Sequence, residues 1–116
     1  MRRAGVLALG IAGAALVAAP ASAGGPQHKT VAIADNYYLP AKLTVNRGST
    51  ITWKWPAEAG DVHDVKLKSA PAGVKKFHSQ PASSDYVFKR KLTKPGLYKL
   101  VCTLHEEMRM TIRVRR

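Results

Sequence analysis

Apolar side chains recur at every second position through most of residues 30–115, with turn residues between the runs. Val31 and Ile33 open the pattern. Leu43 and Val45 follow and end at Asn46-Arg47-Gly48-Ser49, a strong turn signal. Ile51, Trp53 and Trp55 share one parity, with Thr52 and Lys54 on the other. After a break at residues 56–61, His63, Val65 and Leu67 alternate with Val62, Asp64, Lys66 and Lys68. Residues 69–84 are irregular. Tyr86 and Phe88 then alternate with Val87 and Lys89, and a Lys94-Pro95-Gly96 turn precedes Tyr98, Leu100 and Cys102. Met110, Ile112 and Val114 close the series. Period two over runs this short predicts strands, and no amphipathic helix of three turns is visible. The pattern predicts an all-β fold, a Greek-key antiparallel β-sandwich of about seven to eight strands.

The first residues stand apart from this pattern. Arg2 and Arg3 precede an uncharged apolar run over residues 4–19, followed by Pro20-Ala21-Ser22-Ala23, a small-residue cleavage signature. Residues 1–23 therefore read as a secretory signal peptide. The run is short and rich in Gly and Ala for a membrane anchor. Residues 24–29 read as a flexible lead and residues 30–116 as the folded domain. The expected location is outside the cytoplasm, in a periplasm or at the cell exterior, without stable membrane insertion of the mature chain.

Charge and cysteine content sharpen the picture. The 116 residues carry a net charge of +12, and losing Arg2 and Arg3 with the leader leaves 17 basic against 7 acidic residues, a net +10. This balance implies affinity for anionic surfaces. No nucleic-acid motif or phosphate loop accompanies it. Lys66, Lys68, Lys75, Lys76, Lys89, Arg90, Lys91 and Lys94 read as a solvated face. The single cysteine, Cys102, excludes an internal disulfide. A lone thiol outside the cytoplasm would be oxidised unless buried or used.

Parity turns both His63 and Cys102 inward, His63 at the start of its strand and Cys102 at the end of its own. Alone, each would be an ordinary core residue. Together with His105 and a methionine of the segment Cys102-Thr103-Leu104-His105-Glu106-Glu107-Met108-Arg109-Met110, they form two imidazoles, a thiolate and a thioether. Trigonal His₂Cys with a weak axial Met is the donor set of blue copper. Thiolate and thioether hold Cu(I), and imidazole suits both oxidation states.

At this point the sequence resembles the cupredoxin family, in particular its small plastocyanin-like and amicyanin-like members. The resemblance rests on Tyr38-Leu39-Pro40, Leu43-Thr44-Val45, Gly48 to Trp53, His63-Asp64-Val65 and the run from Pro95 to His105. It implies one type-1 copper ion held by His63, Cys102, His105 and a methionine. Met108 gives the short amicyanin-like loop and Met110 the longer plastocyanin-like one. In the family, apolar strand residues recur four and six positions after the ligand. Ile112 and Val114 fit Met108, which is preferred, leaving Met110 as a core residue beneath the site.

Three departures from the family stand out, over four positions. Asp64 stands where Asn is frequent, and a carboxylate there needs donors. Its charge would favour Cu(II). Leu104 replaces a common Pro, and Glu106 and Glu107 lie beside the ligand histidine that the resemblance places nearest the surface. The resemblance implies a one-electron carrier, not an enzyme, monomeric, with an unidentified redox partner. The alternatives are a copper-sequestering or delivery module and a cationic surface-binding sandwich. His78 reads as a surface loop residue, His28 as part of the amino-terminal lead and Trp53 as core. A Cys102–His105 nucleophile would have poor attack geometry within so tight a loop.

Overall fold

The computed structural model describes residues 24–58 and 60–116, so the signal-peptide expectation for residues 1–23 falls outside the described residues. Eight strands form: β1 His28–Ala34, β2 Tyr37–Leu39, β3 Lys42–Asn46, β4 Ser49–Lys54, β5 Lys66–Ser69, β6 Val87–Leu92, β7 Gly96–Val101 and β8 Arg109–Arg115. They make two four-stranded sheets, ordered β2-β1-β4-β6 and β3-β8-β7-β5. Among the described residues there is no helix.

The period-two residues fill the space between the sheets. Val31, Ile33, Ile51, Trp53 and Phe88 come from one sheet, and Val45, Leu67, Tyr98, Leu100, Ile112 and Val114 from the other. Trp55 keeps the β4 parity one residue beyond that strand and stays buried, its backbone N–H donating to the Tyr86 carbonyl (2.9 Å). A left-handed turn at Gly48 (φ +87°) reverses the chain from β3 into β4, and its N–H reaches the Leu92 carbonyl (2.8 Å).

The amino-terminal side of β1 is bonded to that same turn. Gln27 N–H donates to Ser49 Oγ (2.8 Å), and its side-chain oxygen accepts from Asn46 N–H (2.9 Å). β1 itself begins at His28, within the stretch that composition alone reads as lead.

The sandwich is as expected, but its pairing is mixed. β1 runs parallel to β4 and β3 parallel to β8, while the other four pairings are antiparallel. The chain passes between sheets at β2–β3, β3–β4, β4–β5, β5–β6 and β6–β7. By passing through the other sheet, β4 returns beside β1 and β8 beside β3 in the same direction without a crossover helix. Alternation marks which face a side chain takes, not which strand it pairs with.

Candidate metal centre

β7 ends at Val101, and the next seven residues turn back into β8, its antiparallel neighbour. The loop closes on its own backbone: Cys102 N–H donates to the Met108 carbonyl (2.9 Å), and Met108 N–H to the His105 carbonyl (3.0 Å). These bonds hold the Cys102 and His105 side chains toward one point. His63 arrives from the β4–β5 connection, pinned by two reciprocal backbone bonds with Ala82 (2.9 and 3.0 Å).

The three donors meet at the end of the sandwich. Donor atoms of His63, Cys102 and His105 all lie within 4.8 Å of one another. The two imidazole Nδ1 atoms are 3.2 Å apart, and Cys102 Sγ is 3.6 Å from His105 Nδ1. His63 is fully buried and Cys102 nearly so, while the His105 side chain keeps 16 % exposure. Each imidazole turns its other nitrogen toward a carboxylate: His105 Nε2 lies 3.4 Å from Asp61 Oδ2, and His63 Nε2 lies 3.8 Å from Asp35 Oδ1. A proton held at Nε2 leaves Nδ1 as the lone-pair donor. Two such lone pairs and a sulfur facing one another repel unless a cation sits among them, so the donor set fits a metal ion. Gly60 (φ +85°) allows the approach from outside, since a Cβ there would lie 2.5 Å from Asp35 Oδ1.

The methionines part company here. Met108 is fully buried within the loop closure. Met110 directs its sulfur to the Trp53 indole N–H (3.3 Å), inside the core.

Asp64 corrects the sequence expectation. Alternation places it outward, yet it is 3 % exposed, because residues 62–65 form no regular strand. Its donors come from two other segments. Thr103 N–H donates to Oδ1 (2.7 Å), the Thr103 hydroxyl donates to Oδ2 (2.6 Å), and His78 Nε2 bonds Oδ2 (2.8 Å). His78 is therefore not merely a loop residue; it and Thr103 were invisible as a pair to sequence reasoning. One hint was that a carboxylate at position 64 demands donors. The Asp64 carbonyl also accepts from the buried Tyr38 hydroxyl (2.7 Å), and burial, then Cys102, pushes that phenol up.

Burial raises the Asp64 carboxyl, but the bonds from His78 and from the Thr103 hydroxyl and amide, with a smaller one from Cys102, outweigh it and hold it below the ordinary carboxylate range. A depressed folded pKa contributes stability that is full above the unfolded value, about 3.9, and is lost as the pH falls through the folded one. Metal-free protein should thus lose stability as the pH drops below about 4, and Asp64→Asn should flatten that loss. Thermal unfolding across this range checks it; equal slopes in both proteins would contradict the role given to Asp64.

Comparison with known proteins agrees with this geometry. The family of copper-binding proteins that includes plastocyanin and azurin matches residues 27–115. The chain belongs to that family. No curated protein matches the sequence significantly. Among solved structures, a pseudoazurin from Sinorhizobium meliloti is 22 % identical, with a TM-score of 0.64 over 78 % of this chain and 75 % of that one; it speaks for the fold. The reduced Cu(I) form of an amicyanin variant is 25 % identical, with a TM-score of 0.64 over 82 % of this chain and 87 % of its own. A copper-containing nitrite reductase from Thermus scotoductus is 25 % identical, with a TM-score of 0.65 over 86 % of this chain, which spans only 25 % of that enzyme. Copper is thus the cofactor of this cupredoxin, and the cluster of His63, Cys102 and His105 is consistent with a single type-1 ion.

Proposed function

We propose that this protein is a one-electron carrier outside the cytoplasm rather than an enzyme, with copper ligands His63, Cys102, His105 and Met108. The observation that carries the reading is the convergence of two imidazole Nδ1 atoms and one sulfur at the end of a rigid sandwich. Bound copper would supply a Cu(I)/Cu(II) couple. The chain's part is to hold the donors still: the Cys102–Met108 closure, the His63–Ala82 bonds and the Thr103–Asp64 bonds tie both ligand segments to the sheets and to each other. Donors that do not move make the change of oxidation state cheap in reorganisation. His105 alone of the three brings part of its ring to the surface and offers the short route to a partner. Met108 as fourth donor is supported by the engagement of the Met110 sulfur with Trp53. Export rests on the leader-like residues 1–23.

Adding Cu(II) to the purified protein should produce the intense visible absorption of a copper thiolate, and voltammetry should show one reversible one-electron wave. A colourless complex, or a wave that does not reverse, would overturn the carrier reading. Tight Cu(I) binding with irreversible electrochemistry would favour copper handling instead.

A further inference from the structure

Away from the metal end, segment 73–78 and the strand–turn segment 90–94 enclose a groove of about 580 Å³. Its floor includes Val74, Phe77 and Leu92, and its walls carry Lys75, Lys76, Arg90, Lys91 and Lys94; no acidic residue lines it. A second hollow continues it past Lys76 and Phe77 to Lys66 and Lys68. Among the described residues no lysine or arginine takes part in an ion pair. Gathering so many like charges opposes folding through self-repulsion, so the fold does not account for them. Edge protection explains part of the set, because β6 is the last strand of its sheet and Lys89, Arg90 and Lys91 lie on it. It does not explain Lys75 or Lys94, nor Lys76, whose ammonium donates to the Lys68 carbonyl (3.2 Å) but has no acidic partner. The Arg90 guanidinium is fixed in place, 4.3 Å from the Phe88 ring centroid and 5.5 Å from that of Phe77.

Charge is unevenly placed over the molecule. Asp35, Asp61, Glu106 and Glu107 lie beside the metal ligands or next to them in sequence, with Arg109 the one cation among them, while Lys75, Lys76, Arg90, Lys91 and Lys94 line the flank. An acidic surface is repelled by the first region and drawn to the second. The flank also has a bonded link to the centre. His78 lines the groove, bonds Asp64, and Asp64 accepts both the amide and the hydroxyl of Thr103, the residue after Cys102.

We propose that this groove docks a carboxylate-rich segment of the protein that exchanges electrons with the centre. The identity of the partner as a redox protein rests on the carrier reading above. A concave site with an apolar floor and cationic walls suits a protruding chain that carries both apolar and acidic side chains, and suits a flat lipid surface poorly. Its volume falls in the range of sites that enclose several side chains' worth of ligand.

The test is an amide NMR titration of the copper(I)-loaded protein with octaglutamate peptide at low ionic strength. Shifts should concentrate at residues 73–78 and 90–94, fade steeply with added salt, and require roughly tenfold more peptide in Lys75→Glu/Lys76→Glu, whose altered residues are exposed. Shifts spread evenly over distant lysines such as Lys42 and Lys99 would overturn the site. So would equal groove shifts from inorganic phosphate, which would mark a small-anion pocket. Capture by phosphatidylglycerol vesicles that depends on Lys75 and Lys76, with no response to the peptide, would replace the protein partner by a membrane. A reversible blue centre without the groove response overturns the docking surface alone; the groove response without a blue centre overturns the carrier reading and the redox identity of the partner.

Discussion

Replacing Cys102 by alanine is expected to erase the intense visible absorption of the copper-loaded protein and its one-electron wave together. The absorption belongs to the bond between thiolate and copper, and Cys102 is the chain's only thiol. His63 and His105 would remain as a two-nitrogen site, so Cu(II) should still bind, in a pale complex. Affinity should fall by more than the roughly 10–100-fold that loss of a merely supporting group costs. The fold should survive, because a buried cysteine acts as a small hydrophobe and alanine removes only one heavy atom from the core. Visible spectra, copper titration and thermal unfolding of the same preparation separate these effects. Persistent blue colour in Cys102→Ala would mean that the metal sits elsewhere, and the centre described here would be wrong.

That this residue could be singled out before any coordinates reflects how period-two patterning works. Tyr98, Leu100 and Cys102 must share a face, and all three are buried. The same reasoning turned His63 inward although its neighbours are not a regular strand. It failed one residue later, at Asp64, because alternation holds only where a ladder enforces it, and here the carboxylate follows its donors. Those donors lie 14 and 39 residues away. His78 sits in the irregular segment 69–84, which carries no period from which a face could be inferred. Asp35 and Asp61 were likewise out of reach, since exposed carboxylates leave no hydropathy signal and the Asp61–His105 pair spans 44 residues. The parallel pairings of β1 with β4 and β3 with β8 escaped for a related reason: strand patterns encode burial, whereas pairing is decided by how the chain crosses between sheets.

The seven acidic residues also take on a different meaning once placed. In composition they only reduce a positive total. In the fold, Asp64 ties the His63 segment to the Cys102–His105 loop from inside, while Asp35 and Asp61 face the outer nitrogens of the two imidazoles. The Val62 N–H, and next the His105 ring, hold the Asp61 carboxyl below its ordinary range, so it stays a carboxylate beside the partly buried histidine. Charge near the centre is thus negative and local, while the positive excess lies mainly elsewhere on the surface. A partner approaching His105 and one approaching the flank would meet opposite fields.

The two methionines should respond in opposite ways to the same substitution. Met108→Leu conserves volume and should cost less than about 1.5 kcal/mol of stability. With a thiolate and two imidazoles in place the protein should stay blue, but loss of a weak electron-pair donor penalises Cu(II) more than Cu(I), so the reduction potential should rise by tens of millivolts. On this scale about 59 mV is a tenfold change in relative affinity for the two oxidation states. Met110→Leu should leave the potential nearly unchanged and act on the fold. It removes the acceptor of the Trp53 indole N–H, a group with no exposure to water, and an unsatisfied donor of that kind costs about 1–3 kcal/mol. Voltammetry and denaturant unfolding of both variants give four measurements, and the prediction is a crossed pattern. If Met110→Leu shifts the potential while Met108→Leu only destabilises the chain, then Met110 is the fourth donor, and the loop must carry its ligand two residues further along than the Trp53 contact implies.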